Sequence, residues 1–228
     1  MKPNQTIQSG LCLLTALASA LVLTACKNIP PEKEITMTEA TFETIFQEPE
    51  SLLYYGEILE LIPDEQGHLS QLLMDSPRDG RYAMNLGPET HYIDSGERRP
   101  FDPQALKAGD RVYVFHSPMT TRSLPPQSPA FVVLRNIPMD ASCAMYHLAE
   151  EVRPEGNSLL ITTDQGQKTL KTDQNTVFLD ALGQETDASQ LKEGSFLLAW
   201  YWGQGETVLH SSHLMLLPRL SLQAAPPL

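Results

Sequence analysis

Short apolar-rich runs, of which residues 81–86 alternate apolar and polar residues, recur along the chain and predict a protein built from β-strands. Turn-forming residues separate the runs at a spacing of roughly 8–12 residues, which is typical of small all-β barrels and sandwiches. In the first half the runs cover residues 55–62, 69–74, 81–86, 90–93, 111–116 and 130–137. In the second half they cover residues 145–152, 159–163, 168–171, 196–202 and 208–217. The pattern predicts an all-β fold.

The second half repeats the order of the first. Thr90–Asp94 has its counterpart 86 residues later at Thr176–Asp180, and Ala105–Gly109 has one 85 residues later at Gln190–Gly194. A period of this length is too long for a solenoid repeat and fits a duplicated small domain. We therefore predict two tandem domains, residues 51–138 and 139–218, followed by a short tail, residues 219–228.

Each copy carries one signal for a single helical turn. Asp102 and Asp187 precede the turns as N-caps, Pro103 suits a first helical position, and Gly109 and Gly194 end the turns. Five to six short strands with one such turn favour a small barrel in each copy. Closure of the sheet removes edges that would otherwise pair with other chains.

The N-terminus predicts export and a lipid anchor. Residues 11–25 form an apolar run of 15 residues, shorter than the roughly 20 that a membrane-spanning helix needs, so residues 1–25 have the form of a signal peptide. The run ends in Leu23-Thr24-Ala25-Cys26, which resembles the bacterial lipobox. The resemblance implies cleavage before Cys26 and attachment of acyl chains such as palmitate, which anchor the protein to the membrane. An ordinary signal peptide followed by an unrelated cysteine is the alternative.

Residues 26–50 are predicted to be a tether, in which residues 38–47 form a short helix or a strand. Lys27 follows the lipidation site, and the absence of aspartate there favours the outer membrane if the host is Gram-negative. After processing, Cys143 is the one cysteine left, so no internal disulfide can form. We expect a buried or linker thiol there rather than a nucleophile.

The formal net charge of the chain is −12 at pH 7. Such an acidic chain is a poor partner for nucleic acid and for a bare anionic membrane surface, because both repel it. We therefore expect no nucleic-acid partner, and a membrane contact only through the lipid at Cys26.

Two motifs carry a resemblance to a known kind of domain. Leu106-Lys107-Ala108-Gly109-Asp110 begins a strand, and Ser123-Leu124-Pro125-Pro126-Gln127 lies in the following loop. Together they resemble a family of small OB-like β-barrel domains, without an assigned activity, in secreted and lipid-anchored proteins of the bacterial cell envelope. The likeness covers residues 55–138 well, whereas the second copy keeps only Leu-Lys-x-Gly and has Ser195 in place of the aspartate. It implies two tandem OB-like barrels and brings no catalytic residues.

Residues 117–130 contain four prolines and separate the last two strands of the first copy. The second copy has the glycine-rich Gly203–Glu206 at that point, which predicts a tight hairpin. Proline cannot donate a hydrogen bond to a strand ladder, so 124–127 are expected outside any central strand. The segment either protects a barrel edge or forms a recognition loop. The candidate contact residues of such a loop are Met119, Thr120, Thr121, Arg122, Ser123, Pro125, Pro126 and Gln127.

The sequence has no G-x-S-x-G, phosphate-binding loop, H-E-x-x-H or paired C-x-x-C motif, and we predict neither enzymatic activity nor a cofactor. His210 and His213 lie three apart, and on a regular strand they would point to opposite faces. Asp94 and Asp180 recur at matching turns, which favours turn hydrogen bonding over acid catalysis. Residues 200–202 are aromatic, and core packing is expected there before a platform for sugars.

Two functions follow as hypotheses. The first is a non-enzymatic envelope lipoprotein that acts as a scaffold or binding module for an envelope protein or a glycan. The alternative is a metal-binding or metal-carrier lipoprotein whose ligands would be His116, Met119, His210 and His213.

We predict that Cys26→Ser abolishes incorporation of a fatty-acid analogue, because the serine hydroxyl does not replace the thiol in diacylglyceryl transfer. Metabolic labelling followed by gel analysis measures this, with Cys143→Ser as the matched control that keeps the label. Persistent label in Cys26→Ser would contradict the anchor.

Overall fold

The computed structural model describes residues 50–137, 143–202 and 206–218, with residue 202 described by its backbone alone. The predicted signal peptide, Cys26, the tether up to residue 49, the C-terminal tail, the domain boundary at 138/139 and most of the hairpin predicted at 203–206 lie outside these ranges. Throughout the described residues the regular elements are β-strands and two single 3₁₀ turns. The predicted all-β fold is confirmed.

Seven strands form the sheet of the first barrel. They are β1 (Leu52–Pro63), β2 (Leu69–Ser76), β3 (Gly80–Asn85), β4 (His91–Asp94), β5 (Arg99–Pro100), β6 (Arg111–His116) and β7 (Gln127–Arg135). The start of β1 pairs with β6 and its end pairs with β2, so β1 belongs to both sides of the barrel. β7 runs antiparallel to β6 and parallel to β3, which closes five strands in the order β1-β2-β3-β7-β6. This closed five-stranded arrangement is OB-like, as predicted.

β7 begins at Gln127, three residues before the predicted start of that strand. The expectation that residues 124–127 stay outside the sheet is therefore wrong for Gln127. Proline loses its donor but keeps its carbonyl acceptor. Pro126 O accepts from Ala83 N at 2.9 Å, and Pro129 O accepts from Ser117 N at 3.0 Å. The prolines thus help to close the barrel through their carbonyl groups.

The second sheet also has seven strands. They are β8 (Met145–Leu148), β9 (Glu151–Glu155), β10 (Ser158–Thr163), β11 (Lys168–Lys171), β12 (Val177–Leu179), β13 (Phe196–Trp202) and β14 (Val208–Leu217). Their order is β8-β13-β14-β11-β10-β9, with β12 beside β14. The one strand predicted at 145–152 is two strands, which together occupy the place of β1. Ala149 and Glu150 still bridge the break, because Ala149 N donates to Ser195 O and Glu150 N donates to Thr162 O, each at 2.9 Å.

Equivalent hydrogen bonds show that the two copies fold alike. Ile58 exchanges hydrogen bonds with Gly109 N and Asp110 O, and Ala149 makes the same pair with Gly194 N and Ser195 O. The substitution of Asp110 by Ser195 keeps its turn contact as well. Asp110 Oδ2 accepts from Lys107 N at 2.9 Å, and Ser195 Oγ accepts from Lys192 N at 3.1 Å.

A threonine side chain holds the last strand in each copy. Thr90 Oγ1 donates to Ala130 O at 2.9 Å, and Thr176 Oγ1 donates to Ser211 O at 2.7 Å. Both strands are bulged one residue further on, between Ala130 and Val132 in β7 and between Ser211 and His213 in β14. The repeat that the short sequence matches indicate is therefore also found in equivalent hydrogen bonds of the two copies.

One apolar cluster is shared by both barrels. Trp200 lies in it, 2% exposed, and its Nε1 donates to the backbone oxygen and the hydroxyl of Ser95 at 3.1 and 3.2 Å. Gly183 makes a second close approach, since a Cβ there would lie 2.7 Å from Arg98 O. The buried members of the shared core are Ile93, Phe115, Val132, Leu134, Ala144, Tyr146, Leu179, Leu198, Trp200, Met215 and Leu217.

We expect Trp200→Ala to lower the free energy of unfolding by about 3–5 kcal/mol, because it empties a fully packed site. Trp200→Phe keeps an aromatic ring and loses the N–H donor, for an expected cost of about 1 kcal/mol beyond the smaller ring. Urea unfolding followed by far-ultraviolet circular dichroism measures both. Leu182→Ala, at a residue 66% exposed on the same barrel, is the control with little expected effect. Equal stability of Trp200→Ala and the parent protein would contradict the shared core.

Candidate functional site: the proline loop

Residues 117–126, here called the proline loop, join β6 to β7 at one end of the first barrel. The base of the loop is fixed on both sides. Ser117 N donates to Pro129 O at 3.0 Å, Ser128 Oγ donates to Ser117 O at 2.8 Å, and Met119 N donates to Ser117 Oγ at 3.1 Å. Ser117 and Ser128 are buried, so these bonds are sheltered from water.

Hydrogen bonds inside the proline loop hold its shape. Thr121 N donates to Gln127 O at 3.0 Å, and Gln127 N donates to Thr121 Oγ1 at 2.9 Å. Ser123 Oγ lies 2.6 Å from Thr121 Oγ1 and donates to Pro125 O at 2.8 Å. Among the predicted contact residues, Thr121, Ser123 and Gln127 therefore fix the loop from within, and Pro125 and Pro126 are half-buried.

The tip of the loop exposes apolar side chains. Leu124 is 97% exposed and Met119 is 76% exposed, the highest values among the large apolar residues that the structure describes. Thr120 and Arg122 are exposed beside them. The sequence-based contact set included Met119 but omitted Leu124. The available signal for the exposure of Leu124 was its position between Ser123 and Pro125, in a segment with no apolar alternation.

His116 supports the loop from inside the barrel. Its Nδ1 lies 2.9 Å from Ser117 O and 3.0 Å from Ser128 Oγ, and its ring contacts those of Tyr54 and Tyr82. Burial lowers the pKa of His116, opposed by its hydrogen bond to Ser117 O and by the charge of Asp79, so the imidazole is neutral at pH 7. His116 is buried, whereas Met119 is exposed to solvent. The histidine therefore stabilises the base of the loop through its contacts with Ser117 and Ser128.

His210 and His213 lie on the same face of β14, contrary to the expectation for a regular strand. The bulge at Ser212 adds one residue between them, so that His213 pairs with Trp200 and His210 with residue 202. His210 is exposed, while His213 is half-buried with its ring edge against Trp200. Within the described ranges, no three His, Cys, Asp or Glu side chains are arranged to hold a metal ion.

A polar network of two buried and two partly exposed side chains in the second barrel was not predicted from the sequence. His147 Nδ1 lies 3.0 Å from Asp164 Oδ1, and His147 Nε2 lies 3.3 Å from the hydroxyl of Tyr201. Lys168 Nζ lies 2.8 Å from the other oxygen of Asp164. The network borders a cleft of about 360 Å³ between the barrels, which is also lined by Glu50, Leu53, Phe115, Tyr146 and Gln167.

The carboxyl groups of Asp164 and Glu50, which border this cleft, have pKa values shifted in opposite directions. Burial acts to raise the pKa of Asp164, but the hydrogen bonds and charges of His147 and Lys168 outweigh burial and lower the pKa to about 2. The pKa of Glu50 is raised, first by desolvation and then by the charges of Glu150 and Asp164. His147, Asp164 and Tyr201 are far apart in the sequence, and no local pattern connects them.

Other residues singled out from the sequence have structural roles. Asp94 Oδ1 accepts from Glu97 N at 3.0 Å and Asp180 Oδ1 accepts from Leu182 N at 2.9 Å, which confirms turn hydrogen bonding at both. Trp200 and Tyr201 are both buried, in the shared core and the second barrel core respectively, as expected for core packing. Burial raises the pKa of the Cys143 thiol to about 12, so the thiol is protonated and a poor nucleophile.

Neither the known family models nor the curated proteins include a match to this chain. Among the described residues, no helix is both long and apolar enough to span a membrane.

We expect the stability of the protein to fall as the pH drops from about 4 to about 2, in part through Asp164. Its pKa is lower in the folded chain than in the unfolded chain, so its stabilising effect is complete above the unfolded value and is lost as the folded carboxylate is protonated. Urea unfolding between pH 5 and pH 2 (roughly the span of both pKa values) measures this. The stability difference between the parent protein and Asp164→Asn should shrink over that range. A difference that does not change with pH would contradict the contribution of Asp164.

Proposed function

We propose that the protein is a non-enzymatic lipoprotein of the bacterial cell envelope, anchored through Cys26, that binds an envelope protein through the tip of the proline loop. The observation that carries this proposal is the high exposure of Leu124 and Met119 on a loop fixed by internal hydrogen bonds. The family resemblance of the first copy and the lipobox supply the expected location.

Exposed apolar side chains on an ordered loop favour binding for a physical reason. Burying Leu124 and Met119 against a partner releases water from apolar surface, at about 25 cal/mol per Å². A loop that is already fixed loses little conformational freedom when it binds, so more of that free energy remains as affinity. Arg122 beside them adds a charged donor at the rim, which orients a partner that carries an acidic group.

The position of the loop supports the same proposal by analogy. In OB-like barrels the loop between the last two strands borders the usual ligand-binding face, and the proline loop occupies that position. This likeness is one of fold alone, and it makes the loop a candidate binding site for a ligand of any class. The connection at the same point of the second copy is five residues shorter, so the longer loop belongs to the first barrel.

We expect a photoreactive residue introduced at position 124 of the full chain to form a discrete adduct with one envelope protein in the native host. Met119→Asp should reduce that adduct by about tenfold, because a charge in an apolar contact has to be desolvated. A photoreactive residue at position 182, which is also exposed and apolar but lies on the second barrel, is the matched control without the adduct. The same adducts from both positions, or none from position 124, would rule out recognition by the proline loop.

The metal-carrier alternative retains one supporting observation, the bulge that places His210 and His213 on one face of β14. Titration of the full chain with Cu²⁺ or Zn²⁺ followed by thermal unfolding tests it. A large stabilisation that is lost in His210→Ala and in His213→Ala would favour this alternative over the binding module.

A further inference from the structure

The outer face of β1 and β6 carries a second surface, which lies toward the ends of these strands remote from the proline loop. Tyr55 and Tyr113 stand directly opposite each other in the antiparallel pairing. Their rings stack with centroids 4.5 Å apart at an interplanar angle of 29°. Tyr113 is half-buried against the shared core, whereas Tyr55 is 38% exposed. The core therefore supports Tyr113, and Tyr113 fixes the exposed ring of Tyr55.

The ring of Tyr55 borders a groove of about 260 Å³, whose other lining residues include Gly56, Glu57, Asp75, Pro77 and Arg111. This volume is below the roughly 300–1,000 Å³ of most enclosed small-molecule pockets. The groove is therefore suited to one ring of a ligand whose remainder stays in solvent. Gly56 admits no side chain, because a Cβ there would lie 2.6 Å from Asp75 O and 2.7 Å from Cε1 of Tyr54.

The charges at the groove are paired. Arg111 Nε lies 3.6 Å from Glu57 Oε2, and Arg81 Nε lies 3.3 Å from Asp75 Oδ1. Two carboxylates are thus matched by two guanidinium groups, although the chain as a whole carries a formal charge of −12. A locally neutral groove on an acidic protein neither attracts a cation strongly nor compensates a polyanion. Its charged groups serve instead as directed acceptors and donors.

From these features we infer that the groove binds a neutral pyranose oligosaccharide, with one sugar ring seated on Tyr55. The C–H face of a pyranose packs on an aromatic ring, and its hydroxyl groups both donate and accept hydrogen bonds. Glu57 and Asp75 supply acceptors and Arg111 supplies donors within the same groove. This site is separate from the proline loop, so it does not depend on the proposed protein partner.

Calorimetric titration of the full chain with two neutral tetrasaccharides, cellotetraose and the β1,4-linked tetramer of N-acetylglucosamine, tests the inference. We expect at least one of them to bind, and Tyr55→Ala to weaken binding by about tenfold or more. Tyr55→Phe keeps the ring and should bind as the parent protein does. Glu57→Gln provides a second variant on the exposed rim, with an expected loss of several-fold and an undisturbed fold.

Leu52→Ala is the matched control, because Leu52 lies on the same strand, is 39% exposed and does not line the groove. It should leave the affinity unchanged. Absence of binding by both neutral tetramers at millimolar concentration would overturn the inference. So would equal weakening in Leu52→Ala and Tyr55→Ala, or tighter binding of the anionic tetragalacturonate than of either neutral tetramer.

Discussion

Closure of each barrel depends on the last strand, which pairs in parallel with β3 in the first copy and β11 in the second, and antiparallel with its sequence neighbour. A parallel pair cannot be made by a tight hairpin, so the chain has to cross from one side of the barrel to the other before the last strand is laid down. The segment with the 3₁₀ turn makes that crossing in both copies. Thr90 and Thr176 then fix the last strand by donating to its backbone. With closure secured in this way, one connecting loop can vary without opening the sheet.

The proline loop is the part of the molecule that exploits this freedom. The ordered base formed by Ser117, Ser128 and Pro129 continues the β-ladder, so the loop starts from a fixed frame. The prolines restrict the backbone further, and hydroxyl groups inside the loop satisfy its polar groups. The side chains of Leu124 and Met119 are then left in solvent, outside the barrel core. An exposed apolar tip on such a rigid support is costly to solubility, which is a reason to look for its function in binding.

Strand existence, the helical turns and the duplication could be predicted from the sequence, because each rests on local patterns. The caps at Asp102 and Asp187 and the apolar runs of β6 and β13 need no knowledge of the rest of the chain. The shared core could not be predicted in the same way, since Trp200 reaches Ser95 across 105 positions. The bulge at Ser212 was not predicted either, and so neither was the common face of His210 and His213. A bulge reverses which face the following side chains occupy, and no particular residue type marks it in the sequence. The exposure of Leu124 was missed because it is set by the hydrogen bonds of the neighbouring loop residues.

A histidine and a tyrosine meet inside both barrels, but the two residues have exchanged strands. Pairing places His116 of β6 and Tyr201 of β13 at equivalent positions, each opposite the residue before a bulge. His116 has its ring beside Tyr54 of β1, whereas Tyr201 has its ring beside His147 of β8. The exchange changes what the histidine holds. On the last-but-one strand it fixes the base of the proline loop, and on the first strand it binds Asp164 at the turn after β10. The two copies thus share the barrel, but the buried imidazole contacts a different loop in each. The copy in which it supports the longer loop is also the copy that exposes apolar side chains at the tip of that loop.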